Sequence, residues 1–159
     1  MTGFLHDPVL FSQHNKQDHA ENSSRLALVQ KPENVQPCGH RPATDDELLA
    51  VHSRDHLNRV KAKCSEGGGM LDPDTYCLPE SEAVVRATAG GLVDLSLGVL
   101  DGLYPNGLAV VRPPGHHATR DKAMGFCLYN TVAVAAAAIR ARGISRVAII
   151  DFDVHHGNG

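Results

Sequence analysis

The sequence predicts an α/β protein, an open and mostly parallel sheet with helices on both faces. Residues 108–152 hold two short apolar runs, "LAVVR" (Leu108 to Arg112) and "RVAIIDF" (Arg146 to Phe152), separated by the helix-length stretch "NTVAVAAAAIRARG". Strand, helix, strand in that order is a βαβ unit, so the two strands are expected to run parallel. The run "VAII" also lacks the polar alternation of a half-exposed strand, which marks an inner strand covered on both faces. In such folds ligands bind beyond the carboxyl ends of the strands.

The elements follow in chain order. The first third reads as irregular and polar, interrupted by Pro8, Pro32, Pro37 and Pro42, with a short helix near Ser24 to Gln30. "TDDELLAVHSRDHLNRVKAK" predicts a helical turn capped by Thr44 and a second helix from about Ser53. "SEGGGMLDPDTYC" reads as a Gly/Pro/Asp loop. In "SEAVVRATAGGLVDLSLGVLDG" the residues Val84, Thr88, Leu92, Leu95 and Val99 recur at helical spacing, with Ser81 as N-cap and Gly102 at the end. Asn130 caps the last helix and Gly143 stops it.

The chain of 159 residues suffices for one domain with a core. A formal net charge of -3 without a basic block argues against direct binding of nucleic acid. The N-terminus lacks the basic and apolar regions of a signal peptide, and the run near "TVAVAAAAI" is too short to span a bilayer, so no membrane partner is expected. Cys38, Cys64, Cys77 and Cys127 show no C-x-x-C spacing and read as reduced thiols of a cytoplasmic protein, with the nucleus as the alternative in a eukaryote.

Ten histidines are an unusual number, and four of them form two adjacent pairs. The first strand runs into "PPGHHATRDKAMGFCLYN" and the second into "DVHHGNG". Parallel neighbours end on the same edge, and paired strands lie about 4.8 Å apart, so His116, His117, Asp151, Asp153 and His155 are expected to converge. Asp153 and His155 are two apart in an extended segment, share a face and can address one metal ion. Imidazole with carboxylate suits zinc or another divalent first-row ion, although a catalytic zinc commonly takes three protein ligands. A single loop histidine is usually just solvated, and an aspartate at a strand end often caps the next helix. Neither reading accounts for two histidine pairs meeting two aspartates.

These residues carry a resemblance. "VVRPPGHHATRDKAMGFCLYNTVAVAAAA" followed by "IIDFDVHHGNG" resembles the zinc-dependent histone deacetylase superfamily, most of all class II enzymes, bacterial acetoin-utilisation proteins and acetylpolyamine amidohydrolases. Fainter echoes lie in "HAENSSRL", "VHSRDHL" and "DPDTYCLPES". The resemblance implies an arginase/deacetylase-like sheet and a chain that is the N-terminal part, residues 1–159, of one catalytic domain. It implies that Asp153 and His155 are zinc ligands and that His116 and His117 are the tandem catalytic histidines. His117 would be the general base and Asp151 the carboxylate that orients His116. Asp151, Asp153 and His155 would also border a potassium site. Gly125 and Phe126 would form a wall of the acyl-lysine tunnel, Asp74 a rim acceptor for substrate backbone, and Arg25 part of an inner product channel. Asn158 stands where class I members carry Asp and class II members Asn. An uncharged partner favours protonation of His117 less than a carboxylate would, which keeps the base form.

The implied reaction is hydrolysis of an acetyl or other acyl amide on a lysine side chain of a peptide or protein, or on an acetylpolyamine. A divalent zinc polarises the carbonyl and activates water, a neutral histidine takes and returns a proton, and a carboxylate fixes the tautomer of its imidazole. The family's third zinc ligand, an Asp, and its oxyanion residue, a Tyr or His, have no counterpart before Gly159, so the chain alone is expected to be inactive. Two rivals remain. Arginase-like ureohydrolases share the architecture and use two manganese ions; a truncated homologue would bind without turnover.

Overall fold

The computed structural model describes all residues, 1–159. A three-stranded parallel sheet is ordered β2-β1-β5, with β1 over Thr2–Leu5, β2 over Val35–Pro37 and β5 over Gly107–Ala109. The central strand is therefore the first one, in the third of the chain that reads as irregular. Four residues are too few to show a period, so "TGFL" gives no strand signal. Gly3 brings that strand close to a helix: a Cβ there would lie 2.6 Å from Leu95 and 2.8 Å from Tyr104.

The helix is α4, Ser81–Leu100, which packs on β1 and on α5, Thr131–Ala141. Helices α2 (Asp45–Leu49) and α3 (Arg54–Ser65) complete the main core, in which Leu48, Leu57, Val60, Val85, Val93 and Leu128 are buried. Thr44 caps α2 in a full capping box with Glu47, and Ser53 caps α3, as expected. At 20 residues α4 is long and apolar enough to cross a membrane by length and composition alone, yet half of that stretch is buried in this core.

Four expectations need correction. Ser81 does not cap α4. Glu80 holds the cap position, while the Ser81 hydroxyl accepts a bond from Leu78 N at 2.7 Å and meets His14 Nδ1 at 2.6 Å, both inside the protein. The short helix near Ser24 is a single 3₁₀ turn, Ser23–Leu26, after the four-residue helix α1, Pro8–Phe11. The Gly/Pro/Asp stretch is not all loop but a hairpin, in which β3 (Gly69–Asp72) pairs antiparallel with β4 (Thr75–Cys77) around a bulge. Asp-Pro-Asp between two apolar pieces is the turn signal that reports it.

The largest correction concerns "RVAIIDF". It does not join the sheet, and Ile149, Ile150 and Phe152 are 57, 88 and 99% exposed. A groove of about 600 Å³ is lined by the turn 114–116, by the start of α5 and by residues 149–153. Strands joined by one crossover need not be neighbours in the sheet, and these two are held apart.

Candidate metal and catalytic site

Beyond β5 the chain is anchored by Arg112. Its buried guanidinium donates to Glu21 Oε1 at 2.8 Å and to the Phe11 carbonyl, so the turn that carries the histidines is tied to the N-terminal segment. Gly115 then presses that turn onto the start of α5, where a Cβ would lie 2.8 Å from Thr131 N. His116 and His117 follow, with ring centroids 4.1 Å apart.

The predicted convergence occurs, though not by strand pairing. His116 Nδ1 lies 2.8 Å from Asp151 Oδ2, His117 Nδ1 lies 2.8 Å from Asn158 Oδ1, and Gly159 N donates to the His116 carbonyl at 2.9 Å. Both oxygens act as acceptors, so each ring carries its proton on Nδ1 and keeps the lone pair on Nε2. Asn158 Nδ2 faces the thioether of Met124, a weak acceptor, at 3.6 Å, in keeping with its oxygen meeting His117.

Asp151 and Asp153 organise the exposed segment 151–155. Asp151 Oδ1 accepts from Asp153 N at 3.0 Å, and Asp153 Oδ1 accepts from His155 N at 2.7 Å. These backbone donors, then the neighbouring imidazoles, hold both carboxyls below the usual aspartate range. Asp153 Oδ1 and His155 Nδ1 lie 3.0 Å apart. Two ligands about 2.0–2.2 Å from one tetrahedral zinc would lie about 3.3–3.6 Å apart, so this pair, joined here by a hydrogen bond, would have to part by a few tenths of an ångström to take two corners of such a site. No group of three or more His, Cys, Asp or Glu side chains gathers to complete one.

The remaining predicted residues surround this centre. Gly125 lies against the His117 ring, where a Cβ would meet Cδ2 at 2.4 Å. Half-buried Phe126 follows, with its ring edge-on to His19 at 5.0 Å between centroids. Exposed Asp74 sits above them and accepts from Gly125 N at 3.2 Å through Oδ1. Arg25 pairs with Glu21 and lines a small cavity of about 170 Å³ behind Val111, Arg112 and Pro114. Cys127 is buried beside His117, and burial pushes its thiol up to about 12, so it stays protonated. Sequence reasoning passed over Arg112, Glu21, His19 and Thr75. For Thr75 the available signal was a hydroxyl directly after the Asp-Pro-Asp turn.

A model of the histone deacetylase domain matches residues 12–159. The chain belongs to the histone deacetylase domain family. It is 41% identical to a probable deacetylase of Methanothermobacter thermautotrophicus over 98% of this chain and 48% of that one. It is 46% identical to a histone deacetylase-like amidohydrolase of Pseudomonas aeruginosa over 74% of this chain and 31% of that one. The crystal structure of the HD domain of HDA15 superposes on the whole chain with a TM-score of 0.92 at 35% identity, and the match covers 49% of that domain. This deacetylase-family chain thus spans about half the length of the solved domain and of the archaeal relative.

Proposed function

We propose that this chain is the N-terminal part of a single catalytic domain that hydrolyses acylated amines with the help of zinc, acetyl-lysine side chains being the leading substrate and acetylpolyamines the nearest alternative. The observation that carries the proposal is the tautomer set at the tandem histidines: Nδ1–H of each ring is engaged by Asp151 or Asn158, and each Nε2 is left as a base. Asp153 and His155 would hold the zinc, whose contribution when bound is Lewis acidity toward the amide carbonyl and water. His117 Nε2 takes a proton from the attacking water and returns it to the departing amine. Its partner Asn158 fixes the ring's tautomer without adding charge beside it. His116 is held in the same way by the Asp151 carboxylate, which orients its ring beside that of His117. Gly125 and Phe126 form one wall for the acyl chain. Four free thiols suit a reducing compartment such as the cytoplasm.

The test is His117→Ala in the full-length protein, assayed on an acetyl-lysine peptide at saturating substrate. Turnover is expected to fall by about 10²–10⁴-fold, the usual cost of losing a positioned base, with zinc content unchanged. Near wild-type turnover would overturn the assignment. Two manganese ions per chain, in place of one zinc, would favour ureohydrolase chemistry.

A further inference from the structure

The wall beside His117 contains an unusual turn. Met124 and Cys127 exchange both backbone hydrogen bonds, at 3.1 and 2.9 Å, so Gly125 and Phe126 are the central residues of a two-residue hairpin turn. Both are left-handed, with φ of +56° and +69°. Such turns favour Gly or Asn at these places because a side chain resists positive φ. Gly125 satisfies the preference. Phe126 does not, and a bulky residue held there has to be imposed by its surroundings.

What imposes it comes from the other side of the mouth, the hairpin β3–β4. The fully buried Thr75 hydroxyl accepts the Phe126 N–H at 2.9 Å and donates to Asp74 Oδ1 at 2.9 Å. The same Asp74 oxygen accepts the Gly125 N–H at 3.2 Å. Two consecutive amides of the strained turn are thus held by two consecutive side chains of the hairpin. Asp74 Oδ2 has no part in this clamp and stays available at the exposed rim. Because Gly125 abuts the His117 ring and Phe126 abuts His19, the clamp sets both the back of the proposed base and the angle of the proposed acyl wall.

We propose that Thr75 is a positioning residue: its buried hydroxyl, braced on Asp74, holds Phe126 in the left-handed conformation that makes its ring a wall for the acyl chain. The inference rests on the deacetylase reading above. It assigns to Thr75 a role in substrate binding exerted entirely through Phe126. Valine has the shape of threonine but would leave the Phe126 N–H without a partner, whereas serine keeps the oxygen.

The experiment compares Thr75→Val and Thr75→Ser with wild type in the full-length protein, by steady-state kinetics on an acetyl-lysine peptide and by amide hydrogen exchange. Loss of one hydrogen bond predicts that Thr75→Val raises KM about three- to tenfold, with kcat changed less than KM and with Phe126 amide exchange accelerated. Thr75→Ser restores both. An active wild type whose KM is untouched by Thr75→Val overturns the inference and leaves the deacetylase reading standing, even if the variant melts earlier. A Phe126 amide equally protected in all three proteins overturns it as well. A zinc-loaded wild type without turnover overturns the deacetylase reading, and the positioning role falls with it.

Discussion

His117 Nδ1 lies 2.8 Å from the side-chain oxygen of Asn158. An amide oxygen fixes the ring tautomer as a carboxylate would, but adds no negative charge to favour the imidazolium. Asn158→Asp keeps the geometry and adds the charge. Since the neutral ring is the base, stabilising the protonated ring moves the acidic limb of the kcat/KM–pH profile upward, by about one pH unit for an opposite charge at this range. Activity should fall most at pH 6 and recover toward pH 8. Superimposable profiles for the two proteins would show that His117 is not the group whose deprotonation matters.

Asp153 and His155 face each other across 3.0 Å at the same exposed turn. In the full-length protein Asp153→Ala and His155→Ala should each lower zinc content, whereas His117→Ala should not, because a base is not a ligand. Elemental analysis after dialysis against a weak chelator makes the comparison. Full zinc occupancy in both ligand variants would remove the metal from this turn.

The sequence made the site more legible than the sheet. Adjacent histidines and alternating aspartates announce chemistry by residue type, and they do meet. The expected reason for the meeting, direct pairing of 108–112 with 146–152, does not apply, because the segment 146–152 stands across a groove and reaches His116 through Asp151. The central strand β1 was illegible because its partners β2 and β5 lie 33 and 104 residues away along the register Thr2 with Val35 and Gly3 with Gly107. No local pattern encodes such pairings. The hydroxyl of Thr75 is visible after its turn, but its partner is not, because that partner is an amide 51 residues distant.

Several of the ten histidines are structural and make stability depend on acid. His14 and His52 are fully buried. Burial, with Arg112 and His19 nearby, lowers His14 to about 3; burial, with His56 nearby, lowers His52 to about 4. The unfolded chain therefore binds more protons than the folded one below pH 6.5. Stability is full above that value and is lost as pH falls toward the folded values. Between pH 7 and 5 each histidine should account for about 2 kcal/mol. Urea melts at the two pH values measure the sum, and His14→Phe, which can keep the stacking on Tyr76, should make the dependence shallower. Stability that is flat or rising on acidification to pH 5 would refute this.

Residues 1–159 in isolation should be catalytically silent and should self-associate. Only two zinc donors gather, so the metal would be held weakly. A catalytic site also needs a donor for the developing oxyanion, and losing one such donor typically costs about 10²–10³-fold. The segment 146–154 adds a physical liability. It has no ladder partner, and Ile150, Phe152 and Val154 are 88, 99 and 93% exposed. An unpaired apolar stretch of this kind is a template for strand addition. Ile150→Lys with Phe152→Lys places charge on the most exposed positions and should keep the isolated chain monomeric at concentrations where wild type elutes as larger species. Zinc content is a poor readout here, because exposed histidines such as His155 and His156 can bind metal without completing the site. The deciding measurement is hydrolysis of a fluorogenic acetyl-lysine substrate by the purified monomer, with and without a hydroxamate chelator. Robust hydroxamate-sensitive turnover, together with one cooperative unfolding transition, would mean that residues within this chain complete the site by themselves.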